Sequence, residues 1–250
     1  MALSGGVDSA LLAKVCAEEM GGRALAVTAA SEAVPEEEVA GARSLAAALG
    51  LAHETVRTRE LENPAYAANP ADRCAFCKTE LMDVLEPLAR LRGLPAVLLG
   101  VNADDLGDHR PGQAAARSRR ALFPLADAGF TKADVRELAR GLGLAVWDKP
   151  AQPCLASRIP YGETVTAEKL ARIASAEACL RSEGFPDCRV RHHGPLASIE
   201  VPLEGLPRLS EPALRARVEA RLKALGFLHV AVDLGGLRSG NLNAALRASP

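Results

Sequence analysis

The stretch Ser4-Gly5-Gly6-Val7-Asp8-Ser9 decides the fold of this chain. It lies between a short apolar segment, Met1 to Leu3, and a helical pattern from about Ser9 to Glu19. Two consecutive glycines let the backbone turn tightly and point its amides at an anion, and the helix that follows adds its positive N-terminus. The hexapeptide therefore predicts a phosphate-binding turn from a strand into a helix.

The polar side chains of this loop suit the same purpose. Ser4 and Ser9 can donate hydroxyl hydrogen bonds to phosphate. Asp8 is predicted to help organise Mg²⁺, since a hard cation bridges carboxylate and phosphate oxygens. The alternative is a glycine-rich turn with an Asp or Ser helix cap. The position of the whole hexapeptide at a strand-to-helix junction favours the phosphate site.

Up to about residue 148, short apolar runs alternate with helical patterns, which predicts βαβ units and a parallel sheet. Strands are expected at Met1 to Leu3, Ala24 to Ala29, His53 to Arg57 and Ala96 to Gly100. Helices are expected at about Ser9 to Glu19, Pro35 to Leu49 and Lys78 to Arg92, and another begins at Thr131. The predicted fold class is α/β.

Two of these helices carry local start and stop signals. Pro35 suits a first turn, the acidic run 36–38 complements its positive end, and Gly50 can close the helix in a left-handed conformation. Thr131 and Asp134 form an N-cap and an acidic N3, and Gly141 or Gly143 ends that helix.

Residues 149–162 carry Pro150, Pro153 and Pro160, which predicts a loop. A helix at 166–182, short strands at 189–193 and 196–201, a helix at 211–225 and a strand at 229–234 are expected beyond it. We therefore predict three parts: a domain at 1–148, a linker or active-site loop at 149–162, and a smaller C-terminal α+β domain at 163–250.

Composition excludes several classes of protein. The chain has 250 residues, 48% hydrophobic content and a net charge of -1, with a pI of about 6.5, so it is neither a disordered tail nor a globally basic nucleic-acid binder. Apolar runs fall short of the ~18 residues of a membrane span, and a secretory signal pattern is missing, so a cytoplasmic protein without membrane partners is predicted. Three residues precede Ser4, whereas the strand before a phosphate-binding loop of this kind needs about five, so the natural chain is expected to begin upstream.

The hexapeptide resembles the PP-loop of the ATP pyrophosphatase superfamily, whose domain has the adenine nucleotide alpha hydrolase-like fold. The resemblance implies that ATP is cleaved between its α- and β-phosphates and that a substrate is adenylated; a Walker A pattern is missing. It also places adenine over the C-terminal strand ends, near Thr28 and Gly100, and a lysine, here Lys132, near the pyrophosphate.

Four further segments narrow the resemblance. They are Arg73-Cys74-Ala75-Phe76-Cys77-Lys78, the run 100–112, Pro153-Cys154-Leu155-Ala156-Ser157-Arg158, and the run 234–241. Together they are similar to the LarE family, the ATP-dependent sulfur transferases that mature the nickel-pincer cofactor of lactate racemase. The resemblance implies adenylation of a carboxylate of pyridinium-3,5-biscarboxylate mononucleotide, followed by conversion to a thiocarboxylate.

Three cysteines carry the sulfur chemistry that this resemblance implies. In one branch of the family a cysteine matching Cys154 gives up its own sulfur and becomes dehydroalanine. In another branch, cysteines matching Cys74, Cys77 and Cys154 hold a [4Fe-4S] cluster, whose fourth iron carries a sulfide for delivery. All three are present, which favours the cluster; a sacrificial Cys154, a zinc site and a redox disulfide are the alternatives. The residues do not identify the sulfur donor.

The resemblance also implies a substrate site. Arg189 and Arg191 alternate on one predicted strand and therefore share a face, where they would hold the mononucleotide phosphate with Glu177 and Glu200 nearby. The alternative is a surface salt-bridge cluster. Ser157 and Arg158, directly after Cys154, are candidates to position the reacting carboxylate. The resemblance further implies a homo-oligomer, assembled through the C-terminal domain.

Other candidate groups have simpler interpretations. Asn102, Asp104, Asp105 and Asp108 follow a strand and could face nucleotide or metal, or form a solvated loop, and Arg110 is a second phosphate candidate. The adjacent His192 and His193 face opposite sides of a strand, which argues against a metal pair. The remaining three cysteines, Cys16, Cys179 and Cys188, are predicted to be structural, because a cytosolic chain does not form a disulfide framework.

Two functional alternatives stay open. One is a PP-loop tRNA thiolase, against which the absence of a basic stripe argues. The other is a catalytically inactive iron-sulfur or nucleotide sensor. An amidotransferase-like synthetase would leave the three cysteines unexplained.

Overall fold

A computed structural model describes residues 1–106, 111–238 and 240–243. The chain divides into two compact units: residues 1–66 with 72–152, and residues 67–71 with 153–250. Domain boundaries at residues 148 and 162 and the role of each domain stay predictions.

The first unit is a parallel α/β layer, as predicted. Its strands are β1 (Leu25–Ala30) and β2 (Ala52–Arg57), which pair in parallel with Leu25 opposite Ala52 and Ala30 opposite Arg57. The helices between residues 7 and 141 are α1 (Val7–Met20), α2 (Glu36–Ala48), α3 (Pro64–Ala67), α4 (Arg73–Leu91), α5 (Ala103–Leu106), α6 (Pro111–Ser118), α7 (Pro124–Asp127) and α8 (Lys132–Gly141). Short 3-10 turns lie at Gly21–Arg23 and Glu60–Glu62.

Two predicted strands, Met1 to Leu3 and Ala96 to Gly100, form single bridges instead of regular strands. Ala2 bridges to Val27, and Leu98 bridges to Leu122, both in parallel. Each segment is short because the chain leaves the layer at once: the loop at Ser4 ends the first, and Val101 N–H turns back onto Leu99 O (3.0 Å) to end the second. These bridges nevertheless continue the β1–β2 layer, since Ala2 N–H donates to Leu98 O (2.9 Å).

Local signals account for α2 and α8. Helix α2 begins at Glu36, one residue after the predicted start, so Pro35 is its N-cap rather than part of its first turn. The acidic run 36–38 fills the first turn, and Gly50 follows the helix with φ +67°. Thr131 and Asp134 form the predicted reciprocal capping box of α8. These helices therefore begin and end where their own residues favour it.

Helix α4 begins at Arg73, five residues before the predicted start at Lys78. Asp72 precedes it, and Ala75 N–H donates to Asp72 O (2.8 Å), which starts the first turn. The correction matters because Cys74 and Cys77 now lie within the first five residues of the helix rather than in a loop. Neither cysteine is a helix breaker, so the C-x-x-C sequence continues the helix.

The second unit is a mixed α+β layer that agrees with the predicted elements from residue 166 onward. It contains α9 (Ala167–Ser182), β3 (Arg189–His193), β4 (Leu196–Glu200), α10 (Leu206–Leu209), α11 (Pro212–Ala224) and β5 (His229–Val232). Three 3-10 turns, Leu155–Arg158, Leu203–Gly205 and Asn241–Asn243, complete it. β3 pairs antiparallel with β4, and β4 pairs parallel with β5. Its core includes Leu180, Val190, Ile199, Leu222 and Phe227, all buried.

Residues 67–71 belong to the second unit although they are flanked by the first. The amide of the buried Asn69 donates to Ile159 O (3.2 Å) and Pro160 O (2.7 Å), and Val165 N–H donates to Ala67 O (2.8 Å). This insertion therefore holds the segment that follows Cys154.

A membrane-crossing helix is not found in the described chain, because every helix there is either too short or too polar.

Candidate functional site

The loop at residues 4–9 is held by its two serines. Ser4 N–H donates to Ser9 Oγ (3.2 Å), the two hydroxyl oxygens lie 3.1 Å apart, and Ser9 Oγ donates to Gly6 O (2.9 Å). Gly5 has φ +76°, a conformation that favours glycine. Gly6 is the N-cap of α1 and, within the described chain, has no side-chain hydrogen bond at that cap. The loop is therefore held by hydrogen bonds of its own residues, and the positive end of α1 that follows it favours a bound anion.

Gly100 packs directly against this loop. A Cβ at residue 100 would lie 2.7 Å from Ser9 N and 2.9 Å from Asp8 C. Both are backbone atoms, so neither can move aside like a flexible side chain. The turn at Gly100 thus lies beside the start of α1, and a contact between Gly100 and adenine stays a prediction.

Asp8 has a defined partner on each carboxylate oxygen. Asn102 Nδ2 donates to Asp8 Oδ1 (2.9 Å), and Lys132 Nζ forms an ion pair with Asp8 Oδ2. Lys132 is itself placed by α8, where its N–H donates to Asp104 Oδ2 (2.8 Å). The structure therefore brings together a carboxylate and a lysine at the loop, two groups suited to Mg²⁺ and to phosphate respectively.

Lys149 links the loop at residues 4–9 to helix α2. Its ammonium donates to Gly5 O (3.3 Å) and to Glu38 Oε2 (2.7 Å). Because a lysine donor satisfies the Gly5 carbonyl, that peptide is held in one orientation. Sequence reasoning missed Lys149, Glu38 and the Asn102 contact, since none of them lies in the hexapeptide.

Thr28 turns its hydroxyl inward. Thr28 Oγ1 donates to Leu3 O (2.8 Å) and lies 2.8 Å from His53 Nε2, and the Thr28 side chain is buried. Burial and the nearby Arg43 charge lower the pKa of His53. Thr28 thus fixes the residue before the loop, and a contact with adenine stays a prediction.

The C-x-x-C cysteines lie within the first five residues of α4. Cys74 is exposed and Cys77 half-buried. Cys77 Sγ contacts the buried Glu60 carboxylate (3.6 Å), which also accepts from Thr58 Oγ1 (3.0 Å). Residues three apart on a helix share a face, so both sulfurs are on one side of α4.

Cys154 lies in a loop that Arg158 holds in place. Arg158 Nη1 donates to Pro153 O (2.6 Å), Cys154 O (3.2 Å) and Ser157 Oγ (3.1 Å), and the guanidinium is 1% exposed. The other side of the guanidinium pairs with Glu177, at 2.8 and 3.1 Å. Arg158 therefore fixes the loop that carries Cys154; a contact between Arg158 or Ser157 and substrate stays a prediction.

A second buried arginine pair lies beside the first. Arg191 pairs with Glu200 at 2.9 and 2.8 Å, and its Nη1 donates to Ser157 O (2.7 Å). Both side chains are buried, which excludes a surface salt-bridge cluster for this pair. The predicted substrate residues Arg158, Glu177, Arg191 and Glu200 are thus joined in one network.

Arg189 differs from these two arginines. It is half-buried, and its Nη1 donates to Arg238 O (3.0 Å), a carbonyl rather than a carboxylate. Burial and the charges of Arg158 and Arg191 lower the pKa of Arg189. Burial is the larger cause, and the Glu200 and Glu177 carboxylates partly offset the two arginine charges.

The remaining cysteines are buried, as predicted. Burial raises the pKa of the thiols of Cys16 and Cys179. Burial, together with the Glu177 carboxylate, raises the pKa of Cys188 to about 12, and Cys188 Sγ donates to Glu177 O (3.6 Å). These three thiols are therefore unreactive at neutral pH.

In the described residues, no set of three or more His, Cys, Asp or Glu side chains is arranged as a metal site. His192 is buried and His193 exposed, so the adjacent histidines face opposite sides as expected. Asp108 and Arg110, two further candidates, lie outside the described residues.

Comparison with known proteins identifies the relatives. The asparagine synthase family matches residues 1–140. The chain is 38% identical to pyridinium-3,5-bisthiocarboxylic acid mononucleotide synthase of Lactiplantibacillus plantarum, covering 98% of this chain and 89% of that one. It is 47% identical to an uncharacterized protein of Synechocystis, covering 98% of this chain and 92% of that one.

Two observations assign the family: the asparagine synthase family model matches the unit that contains the loop at residues 4–9, and the synthase match covers 98% of the chain. The chain belongs to the LarE family of pyridinium-3,5-bisthiocarboxylic acid mononucleotide synthases and is an ATP-dependent enzyme.

Proposed function

We propose that this enzyme adenylates a carboxylate of pyridinium-3,5-biscarboxylate mononucleotide with ATP and Mg²⁺, and then converts it to a thiocarboxylate. The observation that carries the proposal is 38% identity over 98% of the chain to a synthase of the corresponding bisthiocarboxylic acid. The loop at residues 4–9, folded around its two serines, supports the ATP step.

The residues around the loop fit a magnesium nucleotide. Asp8 offers a carboxylate in the first turn of α1, and Lys132 offers an ammonium beside it. Mg²⁺, when bound, would be held by Asp8 and would neutralise phosphate charge. Lys132 would hold the phosphates that leave, while Ser4, Gly5, Gly6 and Ser9 cradle them.

The first step activates the substrate. A carboxylate oxygen attacks the α-phosphorus of ATP, the bond to the β-phosphate bridge oxygen breaks, and pyrophosphate leaves. The acyl adenylate that results carries AMP, which is a good leaving group. A sulfur nucleophile then adds to the acyl carbon, AMP departs with the electron pair of the broken C–O bond, and the C–S bond remains.

Cys154 is the sulfur donor of the alternative route. Its loop is positioned by Arg158, which donates to the carbonyls of residues 153 and 154. If Cys154 gives up its own sulfur, Sγ bonds to the acyl carbon, a base removes the Cα proton, and the Cβ–Sγ bond breaks. The products are the thiocarboxylate and a dehydroalanine at residue 154.

A [4Fe-4S] cluster is the source of sulfur that we favour. Cys74 and Cys77 share one face at the start of α4, which suits two neighbouring ligands, and Cys154 is the proposed third. Thiolates are the ligands that such clusters use, and three of them leave one iron open. The cluster, when bound, would supply a sulfide that spares Cys154.

The arginine network supports a phosphate site for the mononucleotide. Arg158 and Arg191 are matched by Glu177 and Glu200, whereas the half-buried Arg189 donates to a backbone carbonyl, that of Arg238. We propose that Arg189 contacts the phosphate while the two buried pairs hold β3 and the loop at 153–158 in position. We further infer a cytoplasmic homo-oligomer from the family.

The ATP step is tested by pyrophosphate release. We expect release that requires both ATP and the mononucleotide, and that falls at least ~100-fold in Asp8→Ala. Asp187→Ala changes a carboxylate in the second unit, on the turn before β3, and is the matched control. Pyrophosphate release without substrate dependence would instead favour the sensor, and retention of tRNA at physiological salt would favour the thiolase.

The sulfur source is tested by composition. Iron and acid-labile sulfide are measured on protein purified anaerobically and reconstituted. We expect about four irons per chain, lost in Cys74→Ala, Cys77→Ala and Cys154→Ala alike but kept in Cys179→Ala. Iron-free protein whose Cys154 becomes lighter by one H₂S after turnover would assign the sacrificial route.

A further inference from the structure

Asn102 is a buried polar residue next to the nucleotide loop. It follows the turn at Gly100, and its side chain is 2% exposed. Buried amides are retained where their hydrogen bonds are satisfied, so the partners of Asn102 indicate its role.

The amide of Asn102 has one permitted orientation. Its Oδ1 accepts from Asp105 N–H (3.1 Å), and the main-chain N–H of Asn102 donates to Asp105 Oδ2 (3.3 Å). These reciprocal bonds resemble a helix capping box at the start of α5. With the oxygen committed to Asp105, the NH₂ group points at Asp8.

The bond to Asp8 has a definite direction. Asn102 Nδ2 donates to Asp8 Oδ1 (2.9 Å), and a carboxylate can only accept. The second oxygen, Oδ2, faces Lys132. Asn102 therefore fixes the torsion of the Asp8 side chain and selects which oxygen stays on the lysine side, where a phosphate is expected.

We propose that Asn102 is a positioning residue for Asp8, which holds the carboxylate in the orientation that accepts Mg²⁺ with the nucleotide. The proposal rests on the proposed function, since it requires Mg²⁺ at Asp8. Mg²⁺ demands near-ideal ligand geometry, so a carboxylate that rotates freely binds it less well. In the proposed role, Asn102 acts only through Asp8 and contacts neither the metal nor the phosphates.

The test uses Asn102→Leu, which keeps the size of the side chain and removes both hydrogen-bonding groups. Binding of an ATP analogue with a methylene bridge between the α- and β-phosphates is measured by calorimetry over a range of Mg²⁺ concentrations. We expect the Mg²⁺ concentration at half-saturation to rise about tenfold, since hydrogen bonds to charged groups contribute on that scale. Binding of the analogue in EDTA should be unchanged.

Two controls make the result specific. Asn63→Leu changes an exposed asparagine in the same unit, whose Oδ1 accepts from Ala65 N–H, and should leave the Mg²⁺ dependence alone. Asn102→Ala, a smaller change, replaces Asn102→Leu if circular dichroism shows that the latter is unfolded.

The outcomes separate this proposal from the proposed function. Mg²⁺-dependent binding by the wild-type protein, with the same half-saturation in both Asn102 variants, overturns the positioning role and leaves the function intact. Wild-type protein that binds the analogue without any Mg²⁺ dependence refutes the Mg²⁺ step itself, and the role of Asn102 falls with it. A shift confined to the Asn102 variants supports both.

Discussion

Six thiols in one chain differ in what surrounds each sulfur. Cys74 is exposed, whereas Cys77 and Cys154 are half-buried. Burial raises the pKa of Cys16, Cys179 and Cys188, so these three hold a smaller thiolate fraction than an unperturbed cysteine. We expect iodoacetamide at pH 8 to label Cys74 at least ~10-fold faster than any buried cysteine, because the thiolate is the reactive form.

Peptide mass spectrometry over a time course measures the labelling. Protein unfolded in guanidinium provides the control, since all six sites should then react at similar rates. Early labelling of Cys188 in the folded protein would contradict the burial and pKa argument.

His192 makes stability depend on pH. Its ring lies edge-on to Phe227, with centroids 5.5 Å apart, and within the described chain neither ring nitrogen has a hydrogen-bond partner. Burial, then the charges of Lys169 and Arg172, lower the pKa of His192 in the folded state. The unfolded state therefore binds more protons between the lowered pKa and about 6.5, so stability is full above ~6.5 and falls as pH decreases through that window.

The measurement is the thermal midpoint between pH 7.5 and 5. In His192→Phe, which keeps an aromatic ring beside Phe227, the fall in midpoint should be smaller than in the wild type by roughly 2–4 °C. His193→Phe, at the exposed neighbouring position, should retain the wild-type slope. Equal slopes in all three proteins would show that other groups govern the pH dependence.

At the scale of elements, the contact between the turn at Gly100 and the start of α1 tolerates no added carbon. A Cβ at residue 100 would lie 2.7 Å from Ser9 N and 2.8 Å from Ser9 Cα. We expect Gly100→Ala to lower the free energy of unfolding by ~1–3 kcal/mol, the usual cost of overpacking. It should also weaken binding of an ATP analogue, because Ser9 and Asp8 must move.

The matched variant is Gly41→Ala, on the exposed side of α2, where an added Cβ meets nothing within 4 Å. It should raise stability by ~0.5–1 kcal/mol, since alanine favours a helix. Urea unfolding compares the two. Gly100→Ala with wild-type stability and nucleotide affinity would contradict the close approach.

Elements with local signals were predictable, and elements that depend on distant partners were not. The capping box of α8 and the glycine after α2 lie within their own segments. The early start of α4 was missed although Asp72, a residue type common at N-caps, precedes it. The bridge between Leu98 and Leu122 could not be predicted, because apolar patterning does not show where a partner strand lies. Tertiary contacts therefore decided the places where the sequence pattern was ambiguous.

The candidate site divides in the same way. Motif residues such as Asp8 and Lys132 were predicted, and the structure pairs them. Asn102 was noted as one member of a polar loop, but its bond to Asp8 spans 94 positions and leaves no periodic signal. A salt-bridge cluster around Arg191 and Glu200 was the stated alternative, but its burial and the pairing of Arg158 with Glu177 were missed, because residue type shows charge but not partner or depth.

At the scale of the whole molecule, residues 67–71 leave the first unit to complete the second. Asn69 has φ +57° and donates to carbonyls 90 and 91 positions away, at Ile159 and Pro160. Gly162 N–H donates back to Asn69 O (2.9 Å). The loop between Cys154 and α9 therefore depends on Asn69, and residues 72–152 of the first unit separate the two in sequence.

We expect Asn69→Gly to lower the free energy of unfolding by ~2–4 kcal/mol, because two carbonyls lose their donor in a buried environment. Asn69→Ala should cost about 1 kcal/mol more, since alanine tolerates a positive φ less well than glycine. Amide hydrogen exchange should show lost protection at residues 159–165 and unchanged protection at 4–9. Asn63→Ala, an exposed asparagine in the first unit, is the control. Equal stability of Asn69→Gly and the wild type, or exchange that also increases at the nucleotide loop, would show that Asn69 does not act through the loop after Cys154.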